Sequence, residues 1–160
     1  MTKLFRVLAS GAVFLIASCG FEPVYRGDLD GTGPVAVATI QGRTGHVLRK
    51  SLLQETRVGL PGTEGQASLD VDLKERINRL AFRTDGAASR SSIRLTASYQ
   101  LLHDGTPLVG NAESEIYFFV PDEVFGDISA QTNASRQAAE ELARRIVEDL
   151  RLKLSGPTTS

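Results

Sequence analysis

Cysteine is almost missing from this chain. Cys19 is the only one, so no intramolecular disulfide can form and packing alone must hold the fold. Histidine is scarce as well, with His46 and His103 its two examples. With no second thiol, the chain has no ready set of nucleophile and base. No glycine-rich loop follows a strand and opens a helix, as a phosphate cradle requires; the glycines between Gly59 and Gly65 come after a helical pattern instead. There is no surplus of basic charge either. The 18 Lys and Arg are set against 19 Asp and Glu, whereas a nucleic-acid binder would carry a clear positive excess. Long apolar runs are lacking too. The longest, Val7 to Ala17, has eleven residues, about half of the ~20 needed to span a bilayer.

That short run carries information of its own. Lys3 and Arg6 precede it and Ile16-Ala17-Ser18-Cys19 closes it, the order of a secretory signal peptide: charge, apolar stretch, small residues, cut. Two readings of Cys19 are open. It is incidental, or it closes a bacterial lipobox, is acylated and becomes the first mature residue. A leftover thiol in an exported protein calls for an explanation, and lipidation supplies one. On the second reading residues 1–18 are the lipoprotein signal peptide and the chain is anchored to a membrane without threading through it. The mature chain then keeps 142 of the 160 residues, the size of one ordinary domain.

Residues 19–34 form the lipidated N-terminus and a tether. Gly20 to Pro34 holds four glycines and two prolines and is expected to form neither helix nor strand. The single domain spans 35–155, and 156–160 is a frayed tail. Val35 to Ile40 reads as a first strand. Gly42 to Val58 follows helical spacing, with Thr44 the expected N-cap. Leu69, Val71 and Leu73 alternate with polar residues, and the pattern slips at Glu75-Arg76, where a bulge is expected. Ile93 to Leu101 alternates cleanly. Asp104-Gly105 is a tight hairpin signal, and Pro107 to Val120 is the returning strand. A long helix from about Asp127, its expected N-cap, to Leu154 shows Ala134, Ala138, Leu142, Ile146, Leu150 and Leu154 every four residues. The order β-α-β-β-β-α predicts an α+β two-layer sandwich. In it a four-stranded mixed sheet carries two helices on one face and leaves the other face bare.

Charge is unevenly spread. Arg43 to Arg94 contains ten basic and six acidic residues, while Asp104 to Asp149 contains ten acidic and three basic. Such asymmetry fits either a partner of one sign or two solvated faces. His103 beside Asp104 reads as a dyad or as ordinary turn residues, and Asp70/Asp72 as part of a metal site or as a solvated strand face. No third ligand stands at a telling spacing, so neither a catalytic residue nor a metal or other cofactor is assigned. The binding candidates are arginines: Arg76, Arg79, Arg83, Arg90 and Arg94, with apolar Leu80 and Phe82 among them. A guanidinium holds a phosphate through two parallel hydrogen bonds and is less strongly hydrated than an ammonium.

In their order along the chain, several segments resemble the LptE family of lipopolysaccharide-assembly lipoproteins in its alphaproteobacterial form. They are Cys19-Gly-Phe-Glu-Pro-Val-Tyr25, Arg49 to Thr56, Ala88-Ser-Arg90, Leu95-Thr-Ala-Ser-Tyr99-Gln-Leu101 and Arg136-Gln-Ala-Ala139-Glu-Glu-Leu142. The resemblance implies a non-enzymatic role. A lipid-anchored plug and assembly factor sits inside the outer-membrane β-barrel LptD and helps insert lipopolysaccharide into the outer leaflet. It implies lipopolysaccharide contact at Arg90 first and Arg94 second, and no nucleic-acid partner. Gly20 after the lipidated cysteine, not Asp, implies retention at the outer membrane. Two other readings stand beside it: an auxiliary lipoprotein of a lipid-transporting ABC system, and a cell-envelope hydrolase, which lacks a nucleophile and base.

Overall fold

The computed structural model describes residues 32–63 and 65–156. The signal peptide, Cys19, the tether up to residue 31 and the tail from residue 157 lie outside the described residues. The elements in chain order are β1 (Thr32–Gly33), β2 (Val35–Val37), α1 (Gly42–Glu55), β3 (Leu60–Pro61), β4 (Ala67–Phe82), β5 (Ala88–His103), β6 (Thr106–Phe119) and α2 (Val124–Leu154). β2, β4, β5 and β6 form one sheet in that spatial order. β2 runs parallel to β4, and the other neighbours are antiparallel. The expected mixed sheet is therefore present, with its parallel pair joined through α1 as a helical crossover demands.

Period-two alternation decides what each strand buries. Leu69 and Val71 of β4, and Ile93, Leu95, Ala97, Tyr99 and Leu101 of β5, point inward and are buried. Leu108, Ala112, Ile116 and Phe118 of β6 pack against the edge of that core. From the helix layer come Leu48 and Leu52 of α1 and Ala138, Leu142, Ile146 and Leu150 of α2, each 0% exposed. The four-residue spacing read from the sequence is thus the buried stripe of α2. Both helices cover the same sheet face and the opposite face is bare.

The structure corrects four local expectations. β4 keeps one register from Ser68 to Arg79, and its irregularities fall at Arg79/Ala81 and Ala81/Phe82. The break in apolar alternation at Glu75 is instead an inward-facing carboxylate. It accepts hydrogen bonds from Thr44 Oγ1 of α1 at 2.8 Å and Ser135 Oγ of α2 at 2.9 Å, tying both helices to one strand. Thr44 lies inside the first turn of α1 and is used in this contact, while Gln41 holds the N-cap position without a side-chain cap. Likewise α2 starts three residues before Asp127, which sits in its first turn, with Glu123 at the N-cap. There its carboxylate complements the positive end of the helix dipole. Finally, Thr32 and Gly33 pair with Pro61 and Leu60, so the end of the expected tether is a short strand.

The Asp104-Gly105 turn takes φ values of 47° and 76°, the left-handed pair that a tight two-residue hairpin needs. β6 forms an edge of the sheet, and two of its outward carbonyls are taken up by α2. Lys153 Nζ donates to the Val109 carbonyl at 3.0 Å and Arg145 donates to that of Glu113 at 2.8 Å.

Candidate functional site

Beyond Leu73 the core thins out. The far ends of β4, β5 and β6, with the first turns of α2, expose Ile77, Leu80, Phe82, Tyr117, Phe119, Phe125 and Ile128. The five candidate arginines are at this same end, and strand alternation divides them between two surfaces. Arg76 is directly opposite Arg94, and Arg94 opposite Glu115, all on the bare sheet face. Arg90 shares that face opposite Phe119, with its guanidinium carbon 4.8 Å from the ring centroid. Arg79 pairs in register with buried Ser91 and so lies on the helix side. With Arg83, Ile77 and Phe118 it lines a groove of about 510 Å³ closed by Asp127 and Gln131 of α2.

Their electrostatic partners also differ. Arg94 donates to Glu115 at 2.8 Å, and Ser92 Oγ donates to the same carboxylate at 2.6 Å. Arg83 is paired with Asp122 at 2.5 Å and donates to the Val120 carbonyl. Among the described residues, Arg76, Arg79 and Arg90 have no carboxylate partner. Arg94, second by the resemblance, already has its charge paired with Glu115. Strand alternation alone does not single out Glu115, Tyr117 and Phe119 as neighbours of the arginines. The signal was present: the two-residue turn fixes the β5–β6 register, and counting outward from it brings Arg94 to Glu115 and Arg90 to Phe119.

The Ser92 hydroxyl, and then the Arg94 guanidinium, hold the Glu115 carboxyl below the usual carboxylate range, while Glu115 in turn raises Arg94. A carboxylate depressed in the folded state contributes stability above its unfolded value, and loses it as pH falls through the folded value. Glu115→Gln is therefore expected to melt below the parent chain near neutral pH and to converge with it in acid. Thermal melts at about pH 7 and about pH 3 check this.

The other candidates do not assemble into chemistry. His103 Nδ1 is 3.7 Å from Asp104, too far for a hydrogen bond, and that nitrogen is buried without a partner. Asp70 and Asp72 stand exposed on the bare face. Among the described residues no group of three His, Cys, Asp or Glu could hold a metal ion, and no helix is long and apolar enough to cross a membrane.

The family model for LptE, lipopolysaccharide assembly, matches residues 32–154. A Caulobacter crescentus CB15 protein described as a lipoprotein is similar at 26% identity, over 78% of this chain and 92% of its own, with a TM-score of 0.62. The rare lipoprotein B of Shewanella oneidensis shares the fold at 8% identity, over 76% of this chain and 94% of its own, with a TM-score of 0.56. So does lipoprotein B of Nitrosomonas europaea at 12% identity, over 78% and 86% of the two chains, with a TM-score of 0.55. No curated protein matches the chain in sequence. With the match running through every described element, from β1 to the last turn of α2, the chain belongs to the LptE family and serves in lipopolysaccharide assembly.

Proposed function

We propose that this chain is an outer-membrane lipoprotein that partners an LptD-like β-barrel as plug and assembly factor and assists insertion of lipopolysaccharide into the outer leaflet. Residues 1–18 are removed, Cys19 is acylated, 19–34 reach from the membrane, and 35–155 are the working domain. The observation that carries the lipopolysaccharide contact is the company its arginines keep. Arg76, Arg79 and Arg90 have no carboxylate to neutralise them, and they stand beside exposed Leu80, Phe82 and Phe119. Arg76 also faces Arg94 directly across two strands. Like charges so placed destabilise a sheet, and an anion between them removes that cost. Phosphate groups on an amphiphile supply the anion, and its acyl chains suit the apolar neighbours. Arg83 and Arg94, each already paired, rank below the other three. Arg90 keeps the first place it has by resemblance.

Arg76→Glu with Arg90→Glu is expected to weaken binding of purified lipopolysaccharide at least tenfold, as loss of two charge-assisted contacts predicts. A pull-down of the double variant, shown to be folded by circular dichroism, checks this. Binding equal to that of the parent would remove these residues from the site. Affinity purification from solubilised envelopes tests the partner. A large outer-membrane β-barrel supports the plug, whereas an ABC permease points to the auxiliary lipoprotein of a lipid exporter.

A further inference from the structure

We propose that the exposed side of α1 is a docking surface for anionic phospholipid headgroups, laid on the same leaflet that holds the acyl anchor before the domain enters its barrel. Arg43, His46, Lys50 and Gln54 follow one another at three- and four-residue steps and are all exposed. They are turned away from Thr44, Gly45, Leu48 and Leu52, the buried residues of that helix. Exposed Arg57 and Val58 carry the line past the helix end. From residue 43 to residue 57 the line is about 20 Å long at 1.5 Å per residue.

Helix surfaces usually mix their charges, and α2 does so. Its Arg136, Arg144, Arg145 and Lys153 each meet an acidic side chain of the same helix within 2.5–3.0 Å. On α1, Arg43, His46, Lys50 and Arg57 have no ion pair or side-chain hydrogen bond among the described residues. Glu55 is the only carboxylate of the helix, and its charge acts on Arg144 of α2. The stripe therefore carries three cations, Arg43, Lys50 and Arg57, with no acidic residue among them and no ion-pair partner among the described residues.

The shape of the stripe favours lipid over protein. It has no aromatic anchor of the kind that supplies binding energy at protein interfaces. Three cations spaced along one line instead match a plane of phosphates. Its position agrees. Arg57 and Val58 stand just before β3, and β3 pairs with Thr32 and Gly33, where the chain arrives from Cys19. Only residues 20–31 lie between Cys19 and β1, a reach of at most about 40 Å. An acyl chain with a polybasic patch holds a protein to a membrane better than either does alone. This orientation rests on acylation of Cys19, while the headgroup contact is testable without it.

The chain has no tryptophan, so Val58→Trp adds a single indole at the end of the stripe. The whole protein, as purified from membranes, is mixed with vesicles of phosphatidylcholine alone or with about one-third phosphatidylglycerol. The proposal expects a blue-shifted indole, quenched by brominated acyl chains, on the anionic vesicles only. Arg43→Glu with Lys50→Glu and Arg57→Glu should bring the signal down to the phosphatidylcholine level. Equal emission on both vesicles, unchanged by salt, overturns the surface even if the triple variant does not fold. Protein that fails to float on phosphatidylcholine lacks the acyl anchor. The surface is then judged on anionic vesicles alone, where flotation reversed by salt upholds it and no flotation overturns it.

Discussion

Gly110→Val is expected to lower the thermal midpoint by roughly 10 °C, the consequence of about 3 kcal/mol lost from a domain of this size. Gly110 is on the helix-facing side of β6, directly opposite Tyr99, and the Tyr99 ring takes the space that a side chain would fill. A Cβ built there overlaps the Tyr99 hydroxyl and comes within 2.6 Å of Lys153 Nζ. The lysine can move, but the ring has little room to. Tyr99 is 3% exposed and its hydroxyl donates to Asp149 of α2, while Lys153 pairs with Asp149 at 2.6 Å and stands 5.4 Å from the ring centroid. Overpacking costs about 1–3 kcal/mol, and a displaced hydrogen bond about 1 kcal/mol more. The better strand propensity of valine offsets less than about 1 kcal/mol. Urea denaturation measures the difference. A loss below about 1 kcal/mol would show that Tyr99 swings aside freely, and that α2 is not pinned to the sheet through it.

Leu142→Ala is expected to cost about 3 kcal/mol, within the range for removing a leucine side chain from a close-packed site. Leu142 is 0% exposed and lies mid-helix in the α2 stripe, where both helices and the sheet converge. Ile77→Ala is the informative companion. Ile77 points to the same side of the sheet but is 45% exposed, because it lies in the thinly covered end beyond Glu75. Its loss should therefore stay below about 1 kcal/mol. Equal effects of the two variants in chemical denaturation would contradict the division into a packed half and an open half.

That division explains which features the sequence made legible. Where the strands are fully covered, as from Ile93 to Leu101, alternation is unbroken and the elements read off directly. Asp104-Gly105 fixes both a turn and a register. Glu75 misleads for a physical reason. An inward carboxylate satisfied by hydroxyls 31 and 60 residues away in sequence looks locally like a break in the strand. The true irregularity, between Arg79 and Phe82, lies where little is buried on either face, so no pattern is interrupted. Thr44 and Asp127 are good cap residues by chemistry, yet the helices start two and three residues before them, where Gln41 and Glu123 hold the extended N-cap backbone. The arginines were recognisable by type, but grouping them ignored the strand period. Arg76 and Arg79 are three residues apart and must take opposite faces. Whether an arginine is free or already neutralised depends on carboxylates from a different strand, and only the register supplies that.

The helix side chains that cap two of the β6 carbonyls have a consequence for the protein as it folds. An open strand edge is a template for adding another strand, from any chain that passes. Here the bolt on that edge is Arg145 and Lys153, both in the second half of α2, which follows all the strands in the chain. Until it docks, β5 and β6 can be paired while their rim stays sticky. Copies waiting side by side at that stage are the ones at risk of joining into sheets. Docking of the helix thus lowers that hazard in the same event that completes the core.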